Sequence, residues 1–349
     1  MSGAARTDRP PSLSVLIVSH NSAAELARSL PAIAAELRDG DELIVCDNAS
    51  TDDSAAVVAE LAPAAELIAA GANLGFAGGC NRAAAAATGE LLLLLNPDNV
   101  VSPGVRDAIE LPLIEGRGWG AWQGLVTDRR GEILNTMGGV VHFTGIAWAG
   151  GAGRPRAYAP AAPREVAYPS GACLAIRREL WEQLGGFSEP YFLYHEDTDL
   201  GLRLRLAGDR AGIEPRALCD HSYEFDKGAA KWRHLERNRW ATIIRDYPGA
   251  LLAVVMPALL VTELALLLVA TVGGWLPQKL GANLDVARSL PRLIRERRAI
   301  QVNRALDAAT FADEVLTPEL DSEYLGRASD SKLLNTLLRA YWRVARALL

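Results

Sequence analysis

The sequence is poor in cysteine and has no excess of positive charge. Its 349 residues include four cysteines with no C-x-x-C pair, and the formal net charge is −6 at pH 7. We expect Cys46, Cys80, Cys173 and Cys219 to be small buried side chains in a reducing compartment, not a disulfide framework or a zinc site. The acidic balance argues against a nucleic-acid-binding protein, because such proteins use a basic surface to neutralise phosphates.

The N-terminus also lacks an apolar run. Residues 1–12 are polar, so we expect a flexible tail and no secretory signal there. Across the whole chain 50% of residues are hydrophobic and 22% are charged, which is typical of a globular protein. A chain of this length can bury a full core and exceeds one typical domain.

Apolar runs alternate with helical patterns in the first third of the chain. The predicted strands are residues 13–20, 42–46, 65–69 and 91–95, and the predicted helices between them are residues 23–37, 53–61 and a helix ending near 87. We expect the pair Asn21-Ser22 to cap the first helix and Ser50 or Thr51 to cap the second. Strict alternation of this kind predicts a parallel α/β sheet with right-handed crossovers.

The clearest strand is the run of five leucines, Leu91–Leu95. Pro97 must end it, so Asp98 is expected at the carboxyl end of a central strand, where open α/β sheets bind ligands. Asp47 follows a neighbouring strand and would place a second carboxylate in the same crevice. An Asp beside Asn and Pro is equally compatible with a simple turn.

A glycine-rich stretch, residues 73–81, precedes the third predicted helix. We expect it to be a loop whose backbone amides offer an anion site at the helix N-terminus. Carboxylates and an anion can share one cleft if a divalent cation lies between them. The alternative is a plain turn followed by a helix cap.

Beyond residue 101 the alternation is weaker. We expect irregular strands and loops over the sheet edge in residues 118–168, and a buried run in 169–176. The predicted helices are residues 177–184, closed by Gly185 and Gly186, an acidic helix from about 194 to 206, and a charged helix over 228–245.

Seven segments in order match one enzyme family. They are VSHNS, CDNASTDDS, NLGFAGGCN, LLNPDN, GACLAIRRELWEQLGGF, FLYHEDTDLGLRLRLAG and H-x₁₅-RN, within residues 13–245. At these residues the chain resembles the inverting glycosyltransferases of family 2, and is most similar to the rhamnosyltransferase-like branch. The resemblance implies an α/β GT-A fold, a Rossmann-like mixed sheet, with a catalytic domain over residues 13–248.

The resemblance also implies a donor site with a metal ion. Asp98 and His221 would bind Mg²⁺ or Mn²⁺, with Asn96 standing where many members carry an acid. Turn chemistry, helix capping and a structural histidine are the alternatives. The implied donor-binding residues are His20, Asn21, Asp47, Asn48, Ser50, Asp52, Asn73, Gly75, Phe76, Asn81, Asn96 and Asp98.

Asp197 matches the acid that takes the proton of the acceptor hydroxyl. Glu196 and Asp199 are alternatives within one turn, and ordinary acidity at a helix start is the structural explanation. Glu236 replaces the glutamine of the Q-x-x-R-W motif of processive synthases, which favours transfer of a single sugar. The implied acceptor-binding residues are Gly171, Ala172, Glu196 and Arg237.

Residues 249–349 are expected to form a helical, membrane-associating extension. The segment 250–272 is long enough to cross a bilayer, but it contains Pro257 and Glu263. The segment 279–304 has seven basic residues against two acidic ones. We expect a peripheral or monotopic arrangement on anionic lipid at the cytoplasmic membrane face. The alternative is a helix buried on the catalytic domain or in a homodimer.

The combined expectation is metal-dependent, inverting transfer of one sugar to a lipid-linked or polysaccharide acceptor in cell-surface glycan assembly. Rhamnose from a dTDP donor is favoured, and UDP-galactofuranose or a UDP-hexose is the alternative donor. A non-catalytic nucleotide-binding membrane scaffold is another alternative. A dinucleotide-binding oxidoreductase is not expected, because residues 75–79 are not G-x-G-x-x-G and follow the third strand.

Overall fold

A computed structural model describes residues 10–128, 130–221, 228–322 and 327–349, so most of the predicted tail at 1–12 lies outside the described residues. The strands are β1 Leu13–Ser19, β2 Glu42–Asp47, β3 Glu66–Ala69, β4 Leu91–Leu95, β5 Asn99–Val101, β6 Trp119–Asp128, β7 Ile133–Thr136, β8 Gly139–His142, β9 Ala147–Ala149, β10 Arg164–Glu165, β11 Cys173–Arg177, β12 Arg210–His221 and β13 Leu316–Thr317.

The helices cover the sheet and then form a C-terminal layer. They are α1 Ala23–Glu36, α2 Ser54–Leu61, α3 Gly75–Ala84, α4 Val105–Ile114, α5 Arg178–Leu184, α6 Glu196–Leu206, α7 Ala230–Asp246, α8 Gly249–Val272, α9 Leu276–Val302, α10 Ala308–Val315, α11 Arg327–Asp330 and α12 Lys332–Ala347.

The main sheet is mixed and has the order β10-β12-β6-β11-β4-β1-β2-β3. Strands β3, β2, β1 and β4 are parallel, as predicted from the alternating pattern. Strand β11 then runs antiparallel to both β4 and β6. The parallel half therefore ends at β4, next to the segment that carries Asp98.

The five leucines of β4 are buried on both faces of the sheet, as predicted for a strand between two helical layers. Leu91, Leu93 and Leu95 join the core under α1, α2 and α4. Leu92 and Leu94 join the core under α3, α5 and α6. All four cysteines are buried and free, which agrees with the prediction of small apolar side chains.

The glycine-rich stretch forms a helix, and the prediction of a loop was wrong. Helix α3 begins at Gly75 and ends at Ala84. The glycines allow this helix to lie close to the sheet, because a Cβ on Gly79 would come within 2.6 Å of the Val18 side chain. Close packing overrides the low helix propensity of glycine here.

The short strands β7 to β10 agree with the irregular strands predicted for residues 118–168, and β10 is the edge strand of the main sheet, but not all of these residues lie over the sheet edge. They contribute β6, a strand of ten residues that lies between β12 and β11 in the main sheet. The neighbouring strand β12 was not predicted at all. Its pattern is interrupted at Pro215, and its register against β6 shifts between Glu214 and Leu218.

The C-terminal layer shares a core with the preceding part of the chain. β13 pairs with β8, and Phe143 stacks on Trp342 of α12 with ring centroids 4.9 Å apart. α8 is long and apolar enough to cross a membrane. Its residues Leu251, Val255 and Leu259 are fully buried against the protein, so this helix has a protein-facing side along its first half.

Glu263 continues the protein-facing side of α8. We call Glu236, Arg239, Glu263 and Lys279 the charge cluster. Lys279 Nζ lies 2.7 Å from Glu263 Oε1, and Arg239 Nη2 lies 2.9 Å from Glu263 Oε2 and 3.0 Å from Glu236 Oε2. Lys279 is 0% exposed, so it does not belong to the basic face that we expected on residues 279–304.

Candidate active site

Two of the predicted carboxylates lie at the same edge of the sheet. Asp47 is the last residue of β2 and pairs with Ser19 of β1, while β1 pairs on its other side with β4. Neighbouring strands are about 4.8 Å apart, so the ends of β2 and β4 are separated by roughly 10 Å. Asn96 to Asp98 follow β4 at this carboxyl edge.

His221 is brought beside Asp98 by strand pairing. His221 of β12 pairs with Asn99 of β5, and its Nε2 lies 3.0 Å from Asp98 Oδ1. The same Nε2 lies 3.0 Å from Asn96 Nδ2. One ring nitrogen cannot donate to the carboxylate and accept from the amide at once, but the Asn96 amide can turn to present its oxygen. Three side chains of types that bind metal ions then lie side by side.

The chemistry of these atoms fits a hard divalent cation. A carboxylate and an amide oxygen suit Mg²⁺ and Mn²⁺, and the imidazole favours Mn²⁺. Within the described ranges, no group of three His, Cys, Asp or Glu side chains is arranged around one point. Asp98 and His221 would thus supply part of a coordination shell that a bound diphosphate completes.

Asp47 and Asn48 leave two buried oxygens free at the neighbouring strand end. Asp47 Oδ2 accepts the Ser50 amide at 3.2 Å, whereas Asp47 Oδ1 and Asn48 Oδ1 are buried with no partner among the described residues. Buried polar atoms are normally paired, so these two acceptors are available to a ligand that donates hydrogen bonds. His20 Nδ1 lies 2.9 Å from the Asn48 carbonyl and borders the same site.

Asn21 and Asp52 are used within the protein. Asn21 Oδ1 accepts the Thr51 amide at 2.7 Å, and the Asn21 amide donates to Ser50 Oγ at 2.9 Å. Asp52 accepts the Ala23 amide of α1 at 3.0 Å and the Ser54 amide of α2 at 3.1 Å. Asp52 therefore supplies the helix caps that we predicted from Ser22, Ser50 and Thr51, and the structure does not favour Asn21 or Asp52 as donor contacts.

The expected anion site at the start of α3 is largely occupied by the chain itself. Asn73 Oδ1 accepts the Gly75 amide at 2.9 Å, and the Ala77 amide donates to the Phe192 carbonyl at 3.2 Å. The Asn81 side chain also bonds within the protein, to the Phe187 backbone at both its oxygen and its nitrogen. Asn73 thus shapes the helix start, whereas Asn81 ties the middle of α3 to Phe187.

Gly75 and Phe76 nevertheless lie close to the catalytic side of the cleft. Gly75 has φ +71°, and a Cβ there would lie 2.3 Å from the Phe192 carbonyl oxygen, so only glycine fits. The Phe76 ring lies 3.0 Å from the position of a Cβ on Gly171. Phe76 is half-buried between α3 and the segment that holds Asp197.

Asp197 lies in the first turn of α6 and is fixed by backbone donors. Its Oδ2 accepts the Gly171 amide at 3.0 Å and its Oδ1 accepts the Thr198 amide at 2.7 Å. Burial raises the pKa of Asp197, and the hydrogen bonds from Gly171 and Thr198 oppose that rise. A carboxylate with a raised pKa is a stronger base, as proton abstraction requires.

The two alternative acids are less suitable. Glu196 is 5% exposed and its Oε2 is buried with no partner in the part of the chain that the structure describes. Burial raises the pKa of Glu196 well above its ordinary value, so it favours the protonated form. Burial alone would also raise the pKa of Asp199, but Arg203 and Arg245 hold it below its ordinary value. Asp199 is fully buried in these ion pairs and cannot reach a substrate.

Gly171 and Ala172 connect the metal side to Asp197. The Ala172 carbonyl accepts a hydrogen bond from the backbone amide of Asn96 at 3.3 Å, and the backbone amide of Gly171 donates to Asp197. The predicted acceptor residue Arg237 instead donates from Nη2 to the Tyr191 carbonyl at 2.7 Å. Its guanidinium supports the backbone before α6, so the structure does not favour it as an acceptor contact.

The sequence analysis did not identify the roles of three asparagine side chains around the site. Asn99 donates to the Ala172 carbonyl, and Asn135 Nδ2 lies 3.2 Å from His221 Nδ1. Asn238 donates to backbone carbonyls that precede Asp197. The R-N pair at residues 237–238 was visible in the sequence, but nothing in its spacing indicated a partner.

Comparison with known proteins identifies the family. The family model described as glycosyl transferase family 2 matches residues 14–115. An N-acetylglucosaminyl-diphospho-decaprenol L-rhamnosyltransferase of Mycobacterium tuberculosis is 30% identical over 259 residues, which cover 66% of this chain and 83% of the relative.

Two solved structures share the fold. GalNAc-T7 with UDP, GalNAc and Mn²⁺ superposes with a TM-score of 0.57 at 14% identity, over 71% of this chain and 51% of that one. The mannosyltransferase PcManGT of Pyrobaculum calidifontis, in complex with GDP-Man and Mn²⁺, gives 0.50 at 20% identity, over 98% of this chain and 87% of that one. The mixed sheet is the GT-A fold that we expected. By its family model and its rhamnosyltransferase relative, the chain belongs to glycosyl transferase family 2 and is a glycosyltransferase.

Proposed function

We propose that this enzyme transfers one sugar, with rhamnose first among the candidates, from a nucleoside-diphosphate donor to a lipid-linked acceptor with inversion at the anomeric carbon. One observation carries the proposal. The Asp98–His221 pair and the Asp197 carboxylate lie at the same edge of the sheet and are joined through Gly171 and Ala172.

A pyrimidine nucleotide is the donor that we propose for this site, as the family resemblance implies. Asp47 Oδ1 and Asn48 Oδ1 are free acceptors for the imide N–H of the base. Thymine and uracil both carry this N–H, so these atoms alone favour neither dTDP nor UDP. Asp98 and His221 would hold Mg²⁺ or Mn²⁺, which supplies positive charge that offsets the diphosphate as it leaves.

Asp197 acts on the acceptor. Its carboxylate takes the proton from the acceptor hydroxyl, whose oxygen bonds to the anomeric carbon. The bond between that carbon and the diphosphate oxygen breaks on the opposite side, and its electron pair leaves with the nucleoside diphosphate. The base must be ionised to act, and its pKa is raised. As the pH is lowered, the rate of transfer should therefore begin to fall at a higher pH than it would with an ordinary aspartate.

The acceptor is inferred from the relative, whose name gives an N-acetylglucosaminyl-diphospho-decaprenol substrate. An acceptor of this type would lie in a membrane, and we propose that the enzyme is held on the cytoplasmic face. One side of α8 is packed on the protein through Leu251, Val255 and Leu259, while Leu260 and Leu264 on the other side are exposed. A helix with one protein side and one exposed apolar side fits a monotopic arrangement in the plane of the interface.

The charge cluster supports this arrangement. Glu263 lies mid-helix, and its carboxylate is paired with Lys279 and Arg239. A spanning α8 would require these ion pairs to lie at membrane depth, which is costly. Exposed arginines on the neighbouring helix α9 can contact anionic headgroups. They are Arg288, Arg295 and Arg298, and the exposed Arg304 follows the end of α9.

The test is a screen of dTDP-rhamnose, UDP-galactofuranose and UDP-hexoses with Mn²⁺, in which release of nucleoside diphosphate is measured with and without a short-chain N-acetylglucosaminyl-diphospho-prenol. We expect turnover with dTDP-rhamnose and a loss of at least about a hundredfold in Asp197→Asn, the usual contribution of a general base. The variant should keep its affinity for dTDP. Glu179→Gln, an acid exposed on α5, is the matched control. Near-normal turnover in Asp197→Asn would remove Asp197 from this role, and turnover with a UDP-sugar alone would replace the donor.

A further inference from the structure

The backbone just before the proposed base is strained. Phe192, Tyr194 and His195 have φ values of +62°, +71° and +65°, and none of them is glycine. Phe192 has ψ −62°, and the Leu193 amide bonds to the Tyr191 carbonyl at 2.7 Å. These two features define a γ-turn of the positive-φ form, which is rare for a residue with a side chain. Such a conformation persists only where the surroundings impose it.

Asn238 on α7 imposes it. Its Nδ2 lies 3.0 Å from the Tyr191 carbonyl, 3.0 Å from the Leu193 carbonyl and 2.7 Å from the Tyr194 carbonyl. The side chain is 1% exposed, so water cannot replace these hydrogen bonds. Arg237 completes the arrangement, because its Nε donates to Asn238 Oδ1 at 2.9 Å and thereby orients the amide.

The same turn touches both halves of the site. The Phe192 carbonyl accepts the Ala77 amide at the start of α3, and Gly75 lies against it. Two residues after Tyr194 the chain enters α6, whose second residue is Asp197. The position of the turn therefore sets the distance between α3, on the donor side, and the base.

We infer that Asn238 is a positioning residue for transfer: its amide holds the strained turn of residues 191–195, which places Asp197 against the donor side of the cleft. This inference rests on the proposed role of Asp197 as the base. It assigns Asn238 no contact with either substrate.

The first test compares Asn238→Ala with Asn283→Ala, a control that removes an amide hydrogen bond to Glu263 away from the turn. We expect Asn238→Ala to lower kcat about ten- to hundredfold, since a displacement near 1 Å can cost this much, with a dTDP Kd within about twofold of the wild type. The control should keep its kcat. Equal losses of kcat and of dTDP affinity, or an unchanged kcat, would overturn the inference.

A rescue experiment separates positioning from general damage. Glycine tolerates positive φ, so adding Tyr194→Gly to Asn238→Ala should raise kcat at least about threefold above that of Asn238→Ala alone. Asn238→Ser, which keeps one donor, should give an intermediate rate and serves if the alanine variant does not fold. No recovery in the double variant and no intermediate rate for serine would count against a strained turn held by Asn238.

A double-variant cycle distinguishes this inference from the proposed function. If Asn238 acts through Asp197, Asn238→Ala should slow the Asp197→Asn enzyme by no more than about twofold. A full additional loss would contradict the inference. If Asp197→Asn alone proves nearly normal, the assignment of the base fails, whereas faster hydrogen exchange at residues 192–197 in Asn238→Ala would still support the turn-holding role.

Discussion

Two regions of this molecule bury charge in opposite ways. At the carboxyl edge of the sheet lie four acids, Asp47, Asp98, Glu196 and Asp197. Within the described ranges, their one ion pair is that of Asp98 with His221. In the charge cluster under α8, the carboxylates of Glu236 and Glu263 are matched by Arg239 and Lys279.

The difference shows which region needs a ligand. A buried carboxylate is stable when cations and hydrogen-bond donors surround it, as in the charge cluster. The carboxyl edge has acids with free oxygens, at Asp47 Oδ1 and Glu196 Oε2. These oxygens are available to a cation, a proton or a donor group from outside the protein. We therefore expect the charge cluster to be structural, and the carboxyl edge is the region where we propose that the chemistry takes place.

The largest effect is expected when the acid next to His221 is removed. Asp98→Ala should lower the rate of sugar transfer about a thousandfold, because the carboxylate that would hold the cation against the diphosphate is lost. Initial rates measured across a MnCl₂ titration check this, and excess Mn²⁺ should recover only part of the rate.

Asp220→Asn is the matched control for Asp98→Ala. Asp220 adjoins His221, but its side chain accepts hydrogen bonds from Thr127 and from the Arg130 and Gly131 amides. It should keep most of the activity. Similar losses in the two variants would mean that the carboxyl edge and its surroundings are not functionally distinct, and the comparison above would fail.

The carboxyl edge was largely predictable from the sequence because each part has a local signature. The leucine run, Pro97 and the alternation of strands and helices were enough to place Asp47 and Asp98 at the ends of parallel strands. His221 and Asp197 were placed by resemblance, since β12 and the acidic helix start give no periodic signal. The glycine-rich stretch misled us, because Gly79 is required by close packing on Val18 within a helix, and only Gly75, at the helix start, is required by its positive φ.

The charge cluster could not have been predicted in the same way. In the sequence, Glu263 is a charged residue within an apolar segment, and Lys279 is the first residue of a basic segment. Their pairing depends on how α8 and α9 pack on α7, which is tertiary information. The turn held by Asn238 is similar, since positive φ at Phe192 follows from distant hydrogen bonds and not from a local glycine.

A smaller effect is expected in the charge cluster, and on stability instead of catalysis. Glu263→Leu leaves Lys279 and Arg239 short of a partner in a region where Lys279 is 0% exposed. The free energy of unfolding should fall by about 3 kcal/mol, the cost of breaking a buried ion pair. Urea unfolding in mild detergent, followed by tryptophan fluorescence, measures it. An unchanged unfolding midpoint would show that the cluster is not structural.

The smallest effect concerns the residue next to Glu263, on the opposite side of α8. Leu264 is 68% exposed, so Leu264→Glu should change stability in detergent by less than about 0.5 kcal/mol. On the membrane the same substitution should weaken binding to vesicles containing anionic lipid about tenfold, because the burial of one leucine side chain is lost. Co-sedimentation at two salt concentrations measures this, and binding by both proteins should weaken at high salt if exposed arginines of α9 contribute. Glu263→Leu is thus expected to act on folding, and Leu264→Glu on membrane binding. Equal vesicle binding by Leu264→Glu and the wild type would place the membrane contact elsewhere, and α8 would then be a helix that simply packs on the catalytic domain.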